Sequence, residues 1–349
     1  MFKRIATVIA ALSLSLFGLT ACSSGTEETA AITEADCGTE GAFCIGLVTD
    51  TGKVDDKSFN QSAWEGAQAG AEAVGGFAKY IETLDPKDYA SNIGQFADNG
   101  YNVIIGVGFL MAEAMTNAAN QYPDIKFIGV DQFQGTALAN LTGLVFPEDK
   151  AGFLAGYLAG HLTTSGKTGA VLGTEVVPPV RYFGEGFRNG VAYAAKELGK
   201  SYPETKLVYH APDNAFNDPA WGAATAKQLL SQGYDVIFGA GGNTGNGALL
   251  EIAKNPGAYC IGVDADQWGT VPEAQPCLVT SAMKLITKGV DDLIRQASDG
   301  SIAGGNFFGD VGLAPYHDFD SKLDAAVKDK VAALTPQVLD GTVPTGVKL

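Results

Sequence analysis

Acidic side chains follow apolar, strand-like runs at three places in this chain. They are Asp50 after residues 45–49, Asp131 after residues 126–130 and Asp264 after residues 258–263. Because ligands of parallel α/β sheets lie beyond the carboxyl ends of the strands, we expect the three carboxylates to face one cleft. Carboxylates there can accept hydrogen bonds from a donor-rich ligand or act as general bases. Their charges would repel a phosphate, so the sequence favours an uncharged ligand.

Two phenylalanines stand beside polar residues at strand-to-helix turns. Phe59 and Asn60 begin a helical stretch, and Phe216 lies in a similar turn in the second half of the chain. Two rings from opposite sides of a cleft can sandwich a flat ligand, each contact contributing roughly 0.5–1.5 kcal/mol beyond burial. Lys284, after another strand-like run, can pair with Asp264 and donate to a hydroxyl group. The alternatives are that both phenylalanines belong to hydrophobic cores and that Lys284 is a solvated surface residue.

The glycine-rich residues 239–247 do not form a nucleotide-binding motif. Thr244 stands where the dinucleotide motif requires its third glycine, and no Gly-Lys-Ser/Thr follows. We therefore predict a turn whose backbone closely approaches a neutral ligand. Asp50-Thr-Gly matches an aspartic-protease triplet, but it has no second copy, and Gly-x-Ser-x-Gly is absent from the sequence. Without a catalytic constellation, we predict a binding protein rather than an enzyme.

The chain carries one block of sequence twice. Residues 101–108 recur as residues 234–241, and residues 128–131 recur as residues 261–264, both 133 positions later. The repeat spans two strand-like runs and the helical stretch between them, which indicates two α/β lobes of one design. We predict five strands in each lobe, at residues 45–49, 78–81, 103–106, 126–130 and 141–145, and at residues 168–172, 206–210, 235–239, 258–263 and 278–282. Helical patterns lie between them, for example at residues 60–74, 112–121, 181–198 and 219–232.

Long helical stretches at residues 148–164 and 285–298 follow the predicted crossings between the lobes, and a last helix is predicted near residues 321–340. Lobes of this kind usually exchange strands. We therefore assign residues 41–147 and 285–305 to the first lobe and residues 148–284 and 306–349 to the second. The expected fold class is α/β, with two Rossmann-like lobes of parallel sheets flanked by helices and a hinge between them.

The N-terminus has the pattern of an export signal. Met-Phe-Lys-Arg precedes an apolar run at residues 5–19, and Leu19-Thr-Ala-Cys22 is similar to the lipobox of bacterial lipoproteins. We predict a signal peptide at residues 1–21, lipidation of Cys22, and a tether at residues 22–40 that is too polar to fold. The alternative is an ordinary signal peptide with an unmodified Cys22. The apolar run is too short for a membrane span.

The chain is strongly acidic, with 39 acidic and 23 basic residues and a formal net charge of −16. Nucleic-acid binding depends on phosphate neutralisation, so this charge argues against a nucleic-acid partner. It also argues against electrostatic docking on anionic lipid, which leaves the acyl chain on Cys22 as the expected anchor.

Four cysteines remain beyond Cys22, an even number that favours disulfides in an exported chain. Three connectivities are possible. We favour Cys37–Cys44, which ties the end of the tether to the first strand, and Cys260–Cys277, which joins neighbouring strand ends. A metal site is the alternative, but the sequence has no CxxC and its three histidines lie far apart. We therefore expect no metal and no cofactor.

Five segments together carry a family resemblance. They are residues 55–66 (Asp-Asp-Lys-Ser-Phe-Asn-Gln-Ser-Ala-Trp-Glu-Gly), 128–131, 216–220, 241–247 and 261–264. With these segments the chain resembles the basic membrane protein family of bacterial lipoproteins, substrate-binding components of ABC transporters typified by the purine nucleoside receptor. The resemblance spans roughly residues 44–320. It implies a type I periplasmic-binding-protein fold and capture of nucleosides such as adenosine, guanosine or inosine.

The resemblance also implies how the base of a nucleoside would be held. The ring would lie between Phe59 and Phe216. Asn60 and Asp131 would form hydrogen bonds with the purine edge, and Asp50 would lie beside them.

The ribose would be held by a second group of residues. By the same resemblance, Asp264 and Lys284, helped by the glycine turn near Gly242, would bind the ribose hydroxyls. The chain departs from the family pattern at Trp221, where a lysine is usual, and the two disulfides are not a trait that the family leads us to expect.

These observations predict a monomeric, lipid-anchored receptor on the extracytoplasmic side of a membrane. Its lobes would close on a purine nucleoside and deliver it to an ABC permease and its ATPase. One alternative keeps the clamp but binds a sugar or another flat polar metabolite, and another is a ligand sensor without transport. A third is a nucleoside-cleaving enzyme with Asp131 or Asp264 as general base.

Overall fold

The computed structural model describes residues 31–348. The predicted signal peptide at residues 1–21 and the predicted lipidation site at Cys22 lie outside the described residues. Within the described range, no helix combines the length and the apolar character needed to cross a membrane.

Strands and helices alternate along the described chain, as expected for βαβ units. The strands are β1 (Cys44–Thr49), β2 (Phe77–Ile81), β3 (Val103–Val107), β4 (Lys126–Val130), β5 (Leu141–Val145), β6 (Thr168–Leu172), β7 (Lys206–Tyr209), β8 (Val236–Ala240), β9 (Tyr259–Asp264), β10 (Leu278–Lys284), β11 (Gly305–Phe308) and β12 (Val311–Leu313). The helices are α1 (Phe59–Val74), α2 (Tyr89–Asp98), α3 (Ala112–Gln121), α4 (Glu148–Leu162), α5 (Pro178–Glu197), α6 (Pro219–Ser231), α7 (Gly242–Ile252), α8 (Gln267–Thr270), α9 (Ile286–Asp299) and α10 (Ala325–Leu339).

The first lobe is built on a parallel sheet with the strand order β11-β5-β4-β3-β1-β2. Every residue of β1 and β3 is buried, which is the pattern of strands covered by helices on both faces. Although α9 follows β10 of the second lobe in sequence, it lies against α1, where the Thr287 hydroxyl donates to the Ser62 carbonyl at 2.9 Å. The chain therefore returns to the first lobe after β10.

The second lobe repeats this arrangement with the strand order β12-β10-β9-β8-β6-β7. All neighbouring strands are parallel except β12, which runs antiparallel to β10. The helices α4 and α10 share one buried apolar cluster, in which Phe153 and Leu154 meet Val331 and Leu334. The two sheets thus have equivalent strand orders, as the internal repeat predicted.

Both sheets contain six strands, so the prediction of five strands in each lobe is wrong. The additional strands β11 and β12 have only four and three residues and carry glycines, so they lack a long apolar run. Phe308 pairs with Val145 in the first sheet. The first lobe's returning segment therefore extends beyond the predicted boundary at residue 305.

The predicted tether is too long at its C-terminal end. Glu34–Asp36 forms a short 3₁₀ helix, and Lys79 Nζ lies 2.6 Å from Glu34 Oε1. Ile32 contacts the apolar core of the first lobe. Contacts with the folded lobe therefore begin before residue 40.

Both predicted disulfides are present. The Sγ atoms are 2.03 Å apart in Cys37–Cys44 and 2.15 Å apart in Cys260–Cys277. The first bond joins the residues before β1 to that strand, and the second joins β9 to the segment that precedes β10.

The glycine-rich segment at residues 239–247 is mainly helical rather than a turn, because α7 begins at Gly242. Glycine disfavours a helix, so the local sequence argued for a turn. Tertiary packing reverses this preference, since α7 lies close to α6 and a Cβ on Gly247 would collide with the Pro219 carbonyl oxygen. The glycines let two helices approach each other.

Candidate functional site

A cleft is lined by residues that follow strands of both sheets. In each sheet the second and third strands of the lobe lie on opposite sides of its first strand, so the strand order reverses there. Such switch points are where α/β sheets bind ligands. Asp50 follows β1 and Gly108 follows β3 on the first-lobe side, while Gly241 follows β8 on the other. The fold therefore places the two switch points on the walls of one cleft.

Asp131 and Asp264 occupy equivalent positions at the ends of β4 and β9. Both have the left-handed backbone conformation, with φ angles of 61° and 62°. This conformation costs about 1–3 kcal/mol for a residue other than glycine, and such strain concentrates at functional sites. The internal repeat is thus preserved in the backbone angles as well as in the residue type, and both carboxylates line the cleft.

Lys284, the last residue of β10, lies at the centre of a buried ionic cluster. Its Nζ atom is 2.6 Å from Asp131 Oδ2, 3.6 Å from Glu148 Oε1 and 3.7 Å from Asp264 Oδ1. We expected Asp264 as its partner, but Asp131 of the opposite lobe is the nearest carboxylate. Lys284 therefore joins the two lobes at the floor of the site.

Aromatic rings surround the same ammonium group. Lys284 Nζ lies 4.6 Å from the ring centroid of Phe59 and 5.6 Å from those of Phe146 and Phe183. Attraction between a cation and an aromatic face strengthens when water is excluded, so the rings help to keep the lysine charged. Lys284 is a buried residue, which excludes the reading of a solvated surface lysine.

Phe216 lines the cleft from the second lobe. Its ring rests against Gly173, where an added Cβ would lie 2.5 Å from Phe216 Cε1. Phe59 and Phe216 are both half-buried, one on each lobe. Neither is a fully buried core residue, and each presents part of its ring to the cleft.

The N-terminus of α1 fixes Asn60 at the cleft. Asp56 accepts hydrogen bonds from the backbone N–H groups of Ser58, Asn60 and Gln61 at 3.0–3.1 Å. It also accepts from Asn60 Nδ2 at 3.1 Å, so the amide nitrogen points toward Asp56. The Asn60 Oδ1 atom is buried and has no hydrogen-bond partner among the described residues, and the same is true of Asp131 Oδ1. Both atoms belong to residues that line the cleft.

Five buried carboxyl groups lie in or beside the cleft, three of them within 4 Å of Lys284 Nζ, and burial changes their pKa values. Burial raises the pKa of Asp50 and Asp56 to about 7 and that of Glu148 to about 8. It also raises the pKa of Asp131 and Asp264, against the attraction of Lys284. Burial lowers the pKa of Lys284, but the nearby carboxylates outweigh this effect and raise it. Some of these carboxyl groups are therefore protonated near neutral pH.

The eight residues that the sequence predicted for a ligand site all line this cleft: Asp50, Phe59, Asn60, Asp131, Phe216, Gly242, Asp264 and Lys284. Their contacts with a ligand stay a prediction. Sequence reasoning did not assign Asp56 or Glu148 to the site. Asp56 belongs to the segment 55–66 that carried the family resemblance, so a signal for it existed. Glu148 had no local signal, because only the tertiary packing of α4 against β10 brings it to Lys284.

The described residues contain no group of three or more His, Cys, Asp or Glu side chains arranged to hold a metal ion. The second-lobe Trp221, where the family usually has lysine, lies 4.6 Å from the His210 ring between centroids.

The chain is similar to known proteins over most of its length. The family described as "ABC transporter substrate-binding protein PnrA-like" matches residues 45–309. The chain is 32% identical over 326 residues to the CD4+ T-cell-stimulating antigen of Listeria monocytogenes, covering 86% of this chain and 87% of that protein. It is 29% identical over 325 residues to the ABC transporter nucleoside-binding protein BmpA of Lactococcus lactis, covering 86% and 88%. These similarities confirm the resemblance indicated by the sequence motifs.

Solved structures support the fold. An ABC transporter solute-binding protein from Aeropyrum pernix superposes with a TM-score of 0.78 at 24% identity, covering 86% of this chain and 92% of the other. This similarity confirms the predicted architecture of two α/β lobes with parallel sheets flanked by helices.

Proposed function

This chain belongs to the PnrA-like family of ABC transporter substrate-binding proteins, and from this premise we propose that its cleft binds a purine nucleoside for delivery to a membrane permease. The observation that carries the proposal is the combination of half-buried rings and buried, unpaired acceptors on the cleft walls. Asn60 Oδ1 and Asp131 Oδ1 have no partner among the described residues. A buried acceptor without a partner costs about 1–3 kcal/mol, so a ligand with matching donors gains affinity.

In this proposal the base lies between Phe59 and Phe216. Stacking on both faces suits a planar heterocycle, and the edge of the heterocycle meets Asn60 and Asp131. Asp50 lies beside them with a pKa raised by burial to about 7, so it can act as a donor when protonated and as an acceptor when ionised.

The ribose lies toward the ionic cluster. Asp264 accepts from ribose hydroxyls and Lys284 donates to them, while the backbone near Gly242 allows close approach at the N-terminus of α7. Hydroxyl groups both donate and accept, so they fit a site that contains both carboxylates and an ammonium group.

The charge of the cleft supports a nucleoside rather than a nucleotide. Asp50, Asp56, Asp131, Glu148 and Asp264 outnumber Lys284, and all six residues are buried. A phosphate brought into this site would be repelled by those carboxyl groups that are ionised, at low effective dielectric constant, with Lys284 as the cation in the cleft lining.

Closure follows from the position of the ligand contacts. The proposed contacts come from both lobes, so the ligand meets all of them only when the lobes are closed, and binding shifts the population toward that form. We propose that the closed form is presented to an ABC permease and its ATPase. The chain would be held at the extracytoplasmic face of the membrane by an acyl chain on Cys22, and it acts in this proposal as a carrier rather than an enzyme.

A thermal-shift panel tests the proposed ligand class. The full chain is heated with adenosine, guanosine and inosine, with their free bases, and with ribose and hexoses. We expect nucleosides to raise the unfolding temperature more than bases or sugars do, and the rise should increase with ligand concentration. Stabilisation by a hexose alone would refute the nucleoside and support the sugar alternative.

A further inference from the structure

Two parts of the second lobe hold the loop between β1 and α1 through hydrogen bonds outside the ligand site. Thr270 Oγ1 donates to the Lys57 carbonyl at 2.7 Å, and Asn246 Nδ2 donates to the Asp56 carbonyl at 2.7 Å. Gln267 Nε2 donates to Asn246 Oδ1 at 2.8 Å and approaches the Lys57 carbonyl at 3.4 Å. We call this set of contacts, made by Asp56, Lys57, Asn246, Gln267 and Thr270, the clasp.

The clasp joins elements of opposite lobes. Asp56 and Lys57 lie between β1 and α1 of the first lobe, whereas Asn246 belongs to α7 and Gln267 and Thr270 belong to α8 of the second. Asn246 and Gln267 are 7% and 0% exposed, so these bonds form away from competing water. A hydrogen bond formed away from competing water contributes a net stabilisation over the bonds to water that it replaces, which favours the joined state.

The clasp does not use the atoms that face the ligand. Lys57, Asn246, Gln267 and Thr270 are not among the residues that line the cleft, and Asp56 contributes its backbone carbonyl. The Lys57 backbone has a φ of 61°, and its carbonyl accepts both the Thr270 and the Gln267 bonds. These bonds can therefore form whether or not the cleft contains a ligand.

We propose that the clasp holds a fraction of the ligand-free molecules closed, and that Asn246 and Thr270 are positioning residues which set ligand affinity without touching the ligand. The apparent affinity of any ligand scales with the fraction of molecules in the binding-competent form. The clasp thus determines how much of the binding free energy is needed to close the lobes. This proposal is independent of the nucleoside assignment.

The test measures the distance between the lobes in the ligand-free full chain. Spin labels are attached through a genetically encoded ketone amino acid at Lys87 of the first lobe and Lys206 of the second, both exposed. The distance distribution is then recorded by pulsed electron resonance for wild type, Thr270→Val and Asn246→Ala. Thr335→Val is the matched control, because its hydroxyl bonds to Val331 within α10.

The wild type is expected to show a closed population beside the open one. Thr270→Val should lower the closed-to-open ratio roughly fivefold through the loss of one interlobe hydrogen bond, and Asn246→Ala should lower it by a similar factor because it removes the interlobe bond to the Asp56 carbonyl. Thr335→Val should leave the ratio unchanged. Thr270 is only half-buried, so its variant is informative even if Asn246→Ala fails to fold.

Three results would each overturn the proposal. They are a wild type that is entirely open without ligand, an unchanged ratio in Thr270→Val, and an equal shift in the Thr335→Val control. None of these results depends on whether a nucleoside binds.

Discussion

The two carboxylate oxygens of Asp131 have different environments. Oδ2 lies 2.6 Å from Lys284 Nζ, whereas Oδ1 is buried without a partner among the described residues. One oxygen thus anchors the side chain across the lobe boundary and the other is free to accept from a ligand. The left-handed backbone of Asp131 holds the carboxylate in this position.

A substitution at Asp131 can test these two roles without changing the size of the side chain. Asp131→Asn keeps the shape but weakens both the ion pair and the acceptor. We expect nucleoside affinity to fall by about 1–3 kcal/mol, measured by titration calorimetry. The exposed Asp124→Asn in the same lobe is the control and should bind as wild type does. Equal affinities in the two variants would remove Asp131 from the site.

The buried acids also predict a pH dependence of stability. Burial raises the pKa of Asp50 to about 7 and of Glu148 to about 8, above their values of about 4 in an unfolded chain. Between these values the folded protein binds more protons than the unfolded one. The free energy of unfolding contributed by these groups therefore falls as the pH rises from about 4 to about 8, by at most about 1.4 kcal/mol per pH unit for each proton.

In Asp50→Asn the free energy of unfolding should fall less as the pH rises, because the amide does not titrate. Urea unfolding of the ligand-free chain at pH 5 to 8 measures it, with the exposed Asp124→Asn as control. A shallower decline in Asp50→Asn alone is the expected result. Identical declines in both variants and wild type would mean that Asp50 is ionised in the folded protein throughout this range.

At the scale of elements, glycines decide how closely the helices approach each other. Gly152, Gly156 and Gly160 recur at every fourth position along α4 and face α5. A Cβ on Gly156 would collide with the Phe187 carbonyl oxygen. The contact matters for the site, because α4 begins with Glu148 and α5 carries Phe183, and both lie next to Lys284.

Gly156→Ala should therefore destabilise the protein even though alanine favours a helix. Overpacking of a tight interface costs about 1–3 kcal/mol. We expect the free energy of unfolding, measured with urea, to fall by about this amount. Gly94→Ala in α2 is the matched control, because no atom lies within 4 Å of the added Cβ. It should be neutral or stabilising by up to about 1 kcal/mol. A neutral Gly156→Ala would show that α4 and α5 can move apart.

What the sequence could predict follows from the range of the interactions. The long apolar strands and the repeated aspartates were found because strand patterns and internal repeats are local signals. The short strands β11 and β12 were missed because three or four residues with glycines do not form an apolar run. The helix α7 was predicted as a turn because its fit against α6 is a tertiary effect. Glu148, Asn246 and Gln267 gained partners through long-range contacts that residue spacing does not reveal.

At the scale of the molecule, two similar sheets are joined by segments that cross between the lobes. The chain crosses after β5, after β10 and after β11, so each lobe contains residues from distant parts of the sequence. Lys284 and the clasp each join the two lobes. Residues of both lobes line the cleft, so neither lobe contains all the residues of the proposed ligand site.

The most direct test of this account is a crystal structure of the chain grown with inosine. The account predicts the purine ring between Phe59 and Phe216 and the ribose hydroxyls within hydrogen-bonding distance of Asp264 and Lys284. A nucleoside bound outside the cleft, or a cleft that excludes inosine and takes up a different class of molecule, would contradict it.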